Sequence, residues 1–127
     1  MEWLKQLGDV YKTDRNDYFI NTDHKNIKKA LKILKDNNIT HISSITGIDT
    51  KKEIEIIYHF SKDKTTINIK TEINRDTPET ETITKEFPGA LLFEKELAEM
   101  LGVTIKGIKH EHLVLSDRSP IFPLRRD

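Results

Sequence analysis

Cysteine is absent from this 127-residue chain. Disulfides, thiolate zinc sites and iron–sulfur clusters held by the chain itself are thereby excluded. A surplus of charge is also missing, because 21 basic residues balance 21 acidic ones. With no net field to draw in a polyanion, nucleic-acid binding is disfavoured. No apolar run approaches the ~18 residues of a membrane span. The first residues, Met1 to Gly8, lack the apolar core and cleavage site of a secretory leader, so an intracellular chain is expected. Glycine is sparse and scattered, at positions 8, 47, 89, 102 and 107, which leaves no glycine-rich phosphate loop. No serine sits in an elbow motif, and an independent active site is not expected. Nor does any repeat, linker or low-complexity tract divide the chain, so one domain over residues 1–127 is expected.

What is present is alternation. Ile54, Ile56, Tyr58 and Phe60 alternate with Glu53, Glu55, Ile57 and His59, and Thr65, Ile67, Ile69, Thr71 and Ile73 alternate with Thr66, Asn68, Lys70 and Glu72. Each is a strand with one apolar and one polar face, and Ser61 to Lys64 joins them as a hairpin. Two helices supply apolar faces to cover them. In the first, over 24–37, Ile27, Ala30, Leu31 and Leu34 recur at helical spacing, Thr22 or Asp23 caps the start, and Lys28, Lys29, Lys32 and Lys35 form a solvated outer face. In the second, Pro88 opens and Gly102 closes a segment whose apolar side is Ala90, Phe93, Leu97, Met100 and Leu101. Glu94, Lys95, Glu96 and Glu99 fall on the remaining surface of this helix.

Glu2 to Val10 predicts a short helix, Asp14 to Asp17 a polar turn, and Tyr18 to Ile20 and Ile39 to Ile45 strands, with Gly47 at a turn. Val103 to Ile105 and Leu113 to Leu115 are short extended pieces. Ser116 to Asp127 carries two prolines and no periodicity, so it is either frayed or laid on a partner. The expected fold class is α+β, a single domain with a mostly antiparallel sheet covered on one face by helices and an extended C-terminal tail.

Two clusters invite a chemical reading. His110 and His112 flank Glu111, and in a strand residues i and i+2 point the same way. A zinc site normally needs further ligands, and His59 or His41 has no sequence-level support as a third, so a surface His-Glu-His is the preferred reading and no metal is assigned. Glu96 and Glu99 are helix neighbours, yet acid–base pairs need environments that split their pKa values; ion pairing with Lys95 or with a partner's arginine suits them better.

The second helix and the tail also carry a family resemblance. Ala90…Phe93-Glu94-Lys95-Glu96…Glu99-Met100-Leu101-Gly102-Val103, followed by Pro123-Leu124-Arg125-Arg126-Asp127, resembles the C subunit of NADH:quinone oxidoreductase (complex I) and the equivalent subunit of membrane-bound, energy-converting [NiFe] hydrogenases. Ser43 to Asp49, with its Ile-Thr-Gly-Ile-Asp, resembles a further segment of the family. Gly107-Ile108-Lys109 departs from the Gly-His-Pro often found there, and Leu92 stands where Trp is common. The resemblance covers about Tyr18 to Asp127 and also suggests a short helical turn over Thr80 to Glu86.

The resemblance implies a non-catalytic peripheral scaffold subunit of a complex I-like, membrane-associated oxidoreductase. It would orient the hydrogenase-like catalytic large subunit beside an iron–sulfur small subunit, on the cytoplasmic side of the membrane. It implies no cofactor in this chain, with [NiFe] and iron–sulfur centres in the partners. Glu94, Lys95, Glu96, Glu99, Leu124, Arg125, Arg126 and Asp127 are the expected partner-binding residues, and 116–127 the expected docking segment. The hydrogenase variety is preferred because the chain stops at the Arg-Arg-Asp motif. The alternative from another class is a stand-alone α+β module that binds a small molecule or regulates a partner; an isolated gene would favour it, and a neighbouring oxidoreductase cluster would favour the first.

Overall fold

A computed structural model describes residues 2–14 and 17–107. The expected hairpin is its centre. Strands β4 (Glu53–Lys62) and β5 (Thr65–Asn74) pair antiparallel from Glu53↔Asn74 to Lys62↔Thr65. That register sets Ile54 opposite Ile73, Tyr58 opposite Ile69 and Phe60 opposite Ile67, all buried on one face. The opposite face carries Glu55, His59, Asn68 and Glu72, because alternate side chains leave a strand on opposite sides.

Three more strands complete the sheet, in the order β1-β2-β5-β4-β3. Strand β3 (His41–Asp49) lies antiparallel on β4, while β1 (Asp9–Asp14) and β2 (Asp17–Asn21) form a hairpin whose second strand runs parallel to β5. The sheet is therefore mixed but mostly antiparallel, and the α+β class is as expected. The short helix expected over Glu2 to Val10 is instead a 3-10 turn, Glu2–Gln6, followed directly by β1. Gly8 separates them with φ +153°, and a Cβ there would strike the Asn21 carbonyl, so the chain turns into the strand at that point.

Helix α1 (Ile27–Asp36) buries Ile27, Ala30, Leu31 and Leu34, the four residues its spacing selects. Helix α2 (Leu91–Leu101) packs on β3. Both belong to one core with Phe60 and Phe87, whose rings meet at 4.9 Å between centroids. Between β5 and α2 the structure departs from expectation: Glu79–Glu81 is a short strand, β6, paired in parallel with β7 (Thr104–Lys106), and only residues 84–86 form a turn. Thr80 and Ile105 are buried at this ladder, so pairing with a distant segment takes the start of the stretch for which the resemblance implies a helical turn.

Gly47 is a second correction. It sits within β3, paired with Ile56, and the turn falls at residues 50–52. A Cβ on Gly47 would overlap Cδ1 of both Leu97 and Leu101. Glycine is needed here for close helix–strand approach, not for a bend.

Candidate functional site

Helix α2 begins as its sequence dictates. Pro88 occupies the first position of a 3-10 turn, Pro88–Ala90, where a missing N–H costs nothing. It ends at Gly102, left-handed at φ 73°, whose N–H donates to the Ala98 carbonyl at 3.0 Å. The side that faces inward differs from the expected stripe. Ala90, Glu94, Leu97, Ala98 and Leu101 are buried, whereas Phe93 is half-buried and Met100 is exposed. The stripe is turned by about one residue because β3 offers the flat backbone of Gly47, against which Leu97 and Leu101 fit.

Glu94, expected on the outer surface of the helix, is instead an inward residue. It is 1 % exposed and points into the protein. Its Oε1 accepts from the Thr82 hydroxyl at 2.5 Å and its Oε2 from the Ile83 N–H at 2.9 Å. Lys28 of α1 donates from Nζ to the Thr82 carbonyl at 2.5 Å and lies 3.4 Å from Glu86 Oε2. Burial raises the Glu94 pKa, and the Thr82 and Ile83 hydrogen bonds and the Lys28 charge oppose the rise. Burial likewise pushes the nearby Tyr58 phenol up to about 12, and the Glu94 charge adds to it. Glu94 thus fastens α2 to the 82–86 segment, and through Lys28 to α1. Periodicity alone could not reveal this, since a carboxylate within a charged run reads as surface.

The other residues of the expected set divide in two. Glu96 is exposed, and Lys95 and Glu99 are half-buried beside it. Leu92, Glu96 and Met100 recur every four residues as one outward line, with Leu92 62 % and Met100 37 % exposed. Apolar side chains set around an acid suit protein contact better than pure solvation. A shallow cleft of about 220 Å³ runs beside this line, between α2 and β3, and is lined by Ile45, Thr46, Glu96 and Met100. Leu124, Arg125, Arg126 and Asp127, the tail 116–127 and the pair His110 and His112 lie outside the described residues.

The Ile-Thr-Gly-Ile-Asp segment contributes a residue that spacing does not single out. Asp49, 2 % exposed, takes a two-pronged contact from Arg75, Nε to Oδ1 at 2.6 Å and Nη2 to Oδ2 at 3.0 Å. It also accepts from the Lys51 N–H at 2.9 Å, which closes the β3–β4 turn. His59 lies on the open face of the sheet, its Nδ1 2.5 Å from Asn68 Oδ1 and its Nε2 2.8 Å from the Thr46 hydroxyl. Among the described residues, no three His, Cys, Asp or Glu side chains gather closely enough to hold a metal ion, and no helix is long and apolar enough to cross a membrane.

Comparison with known proteins gives a consistent answer. The family model of the respiratory-chain NADH dehydrogenase 30 Kd subunit matches residues 20–127. The C subunit of the F(420)H(2) dehydrogenase of Methanosarcina mazei is 29% identical over 112 residues, covering 83% of this chain and 71% of that protein. The C subunit of the NADH-quinone oxidoreductase of Xanthobacter autotrophicus is 33% identical over 92 residues, 68% of this chain and 44% of that one. Among solved structures, a chain of the membrane-bound sulfane sulfur reductase, an archaeal respiratory membrane complex, superposes with a TM-score of 0.85 at 22% identity, covering 98% of this chain and 79% of that one. A trypsin-resistant fragment of Nqo5 superposes at 0.72 with 13% identity, over 84% of this chain and 91% of that one. At those identities the two superpositions establish the shared fold.

Proposed function

The chain belongs to the respiratory-chain NADH dehydrogenase 30 Kd subunit family, and from that premise we propose that it is a peripheral, non-catalytic subunit of a complex I-like respiratory oxidoreductase. One observation carries the reading: the family match runs from residue 20 through the last residue and so includes both α2 and the Pro-Leu-Arg-Arg-Asp tail. The outward line of Leu92, Glu96 and Met100 supports a scaffold role, because it offers a contact surface whose inner side is already anchored by Glu94 and Leu97.

In this reading the chain orients a catalytic large subunit beside an iron–sulfur small subunit at the cytoplasmic face of the membrane. The redox centres, iron–sulfur and, in a hydrogenase, [NiFe], reside in those partners. Arginines 125 and 126 reach partner carboxylates in paired hydrogen bonds while Leu124 fills an apolar pocket. The names of the relatives, F(420)H(2) dehydrogenase, NADH-quinone oxidoreductase and sulfane sulfur reductase, favour the wider class of respiratory complexes over the expected hydrogenase alone.

Affinity purification of the native assembly through a tag on the N-terminus tests the proposal. Mass spectrometry of the eluate is expected to find a large redox subunit and an iron–sulfur subunit in equal proportion to this chain. Arg125→Ala with Arg126→Ala is expected to lose both while leaving the melting temperature of the free chain unchanged. Recovery of this chain alone from detergent-solubilised membranes and from the soluble fraction alike would refute the subunit reading.

A further inference from the structure

The β2–β5 ladder stops early. Its last residue pair is Asn21↔Lys70 and its last bond runs from the Thr22 N–H to the Lys70 carbonyl, 2.9 Å, while β5 continues to Asn74. Backbone groups of alternate residues face the same side of a strand, so the N–H and carbonyl of Glu72 point to the side that β2 has vacated. A notch of about 710 Å³ opens there, between Asn21 to His24 on one wall and Thr71 to Asn74 on the other.

Two features mark this notch as built for an occupant. Thr71 lines it and is 1 % exposed, yet its hydroxyl has no hydrogen-bond partner among the described residues, and the buried Nδ1 of His24 on the opposite wall has none either. Buried polar atoms are nearly always satisfied in folded proteins, by protein, water or ligand. The lining is also acidic: Asp9, Asp23, Glu53, Glu72 and Asp76 face two lysines, of which Lys70 is engaged with Glu55 at 3.6 Å. Burial keeps His24 toward its neutral form. A hydrogen bond to Glu53 and partial burial raise the Glu72 pKa, and the Lys70 charge opposes the rise.

We propose that this notch receives an extended, Arg- or Lys-bearing segment of a neighbouring subunit, which pairs with the Glu72 edge of β5 and sets its cations among these carboxylates. Among the described residues no strand continues β2 along this edge, which selects an extended chain, since strand addition is how an unpaired edge binds a peptide. The charge selects a basic one. A single divalent ion fits less well, as no three acids converge among the described residues. The occupant's origin rests on the assembly reading above, whereas binding at the notch is read on the full chain alone, so the two fail separately.

The experiment is a titration of isotope-labelled full-length protein with an alternating Arg-Val peptide, followed by amide spectra and hydrogen exchange. Chemical shifts are expected to concentrate at residues 21–24 and 72–74, with exchange at the Glu72 amide slowed. Glu53→Gln with Glu72→Gln is expected to weaken binding about tenfold or more at low salt. Thr71→Val is expected to weaken it while leaving the free protein at least as stable, and Asp63→Asn, at the exposed β4–β5 turn, to leave it unchanged. Equal binding of a Glu-Val peptide or of a proline-interrupted Arg-Val peptide overturns the proposal. So do shifts elsewhere, no binding at millimolar peptide (which would leave the notch simply hydrated), or tighter saturation of the same residues by calcium or magnesium.

Discussion

Replacing Glu94 offers the sharpest test of how α2 is held. Glu94→Ala strands the Ile83 N–H beside a residue that is 1 % exposed, while the half-buried Thr82 hydroxyl can turn to Thr84 Oγ1 at 2.9 Å. Each unsatisfied buried donor costs about 1–3 kcal/mol, and the removed methylenes leave a void. The expected loss is about 2–4 kcal/mol, or roughly 8–16 °C in melting temperature at ~4 °C per kcal/mol for a domain of this size. Glu94→Gln keeps an acceptor for Ile83 and lets its amide donate to Thr82, so about 1 kcal/mol is expected. The two variants also separate in pH. A carboxyl whose folded pKa is raised favours the folded state fully below its ordinary value of 4.5, and that contribution is lost as pH climbs through the folded value. Urea unfolding across that range is expected to show the wild-type losing stability with rising pH and Glu94→Gln losing less. If glutamine costs as much as alanine, the charge and not the hydrogen bonding holds the segment. A glutamine variant of unchanged stability that drops out of the assembly would restore Glu94 as a partner contact.

Three further outcomes can be checked by denaturant unfolding. Gly47→Ala is expected to cost about 1–3 kcal/mol by overpacking Leu97 and Leu101, while Gly89→Ala, whose new methyl meets only Ile42 at 3.7 Å, costs under about 0.5 kcal/mol; equal effects would refute the close-approach role. Leu97→Ala is expected to lose about 2–5 kcal/mol, and half-buried Phe93→Ala distinctly less; the reverse order would put the helix stripe back where hydrophobicity alone sets it. Asp49→Ala is expected to cost about 2–4 kcal/mol, because it removes the paired contact from Arg75 and the acceptor of the Lys51 N–H inside a 2 % exposed site; a loss under about 1 kcal/mol would show that the pair is only a surface contact.

Legibility in the sequence follows how local each determinant is. Strands β4 and β5 are readable because an apolar residue at every second position has one physical outcome beside a covering core. Helix α1 is readable for the same reason at a period of 3.6, and α2 declares both ends through Pro88 and Gly102. Strand β1 is not, since Asp9–Asp14 has little apolar alternation and is held by pairing with β2. The β6–β7 ladder depends on residues more than twenty positions apart. Glu94 and Gly47 mislead in complementary ways: one is a charge that the fold draws inside, the other a glycine chosen for what touches it. The notch is invisible because it is an absence of pairing, created where β2 ends before β5.

The parallel contact of β2 with β5 bears on how the chain reaches its fold. The β3–β4–β5 meander closes through short connections, with Lys62 opposite Thr65. Asp17 and Thr66, by contrast, are 49 residues apart. Joining them costs about 2 kcal/mol more loop-closure entropy than a loop of about four residues. The meander and α1 can therefore organise while the β1–β2 hairpin still searches, and docking of that hairpin is the step with the longest reach. It is expected to fall late on the folding route, and until it happens the whole of β5's second edge is open to misplaced strands, the exposure that makes non-local sheets slow to fold and prone to aggregate.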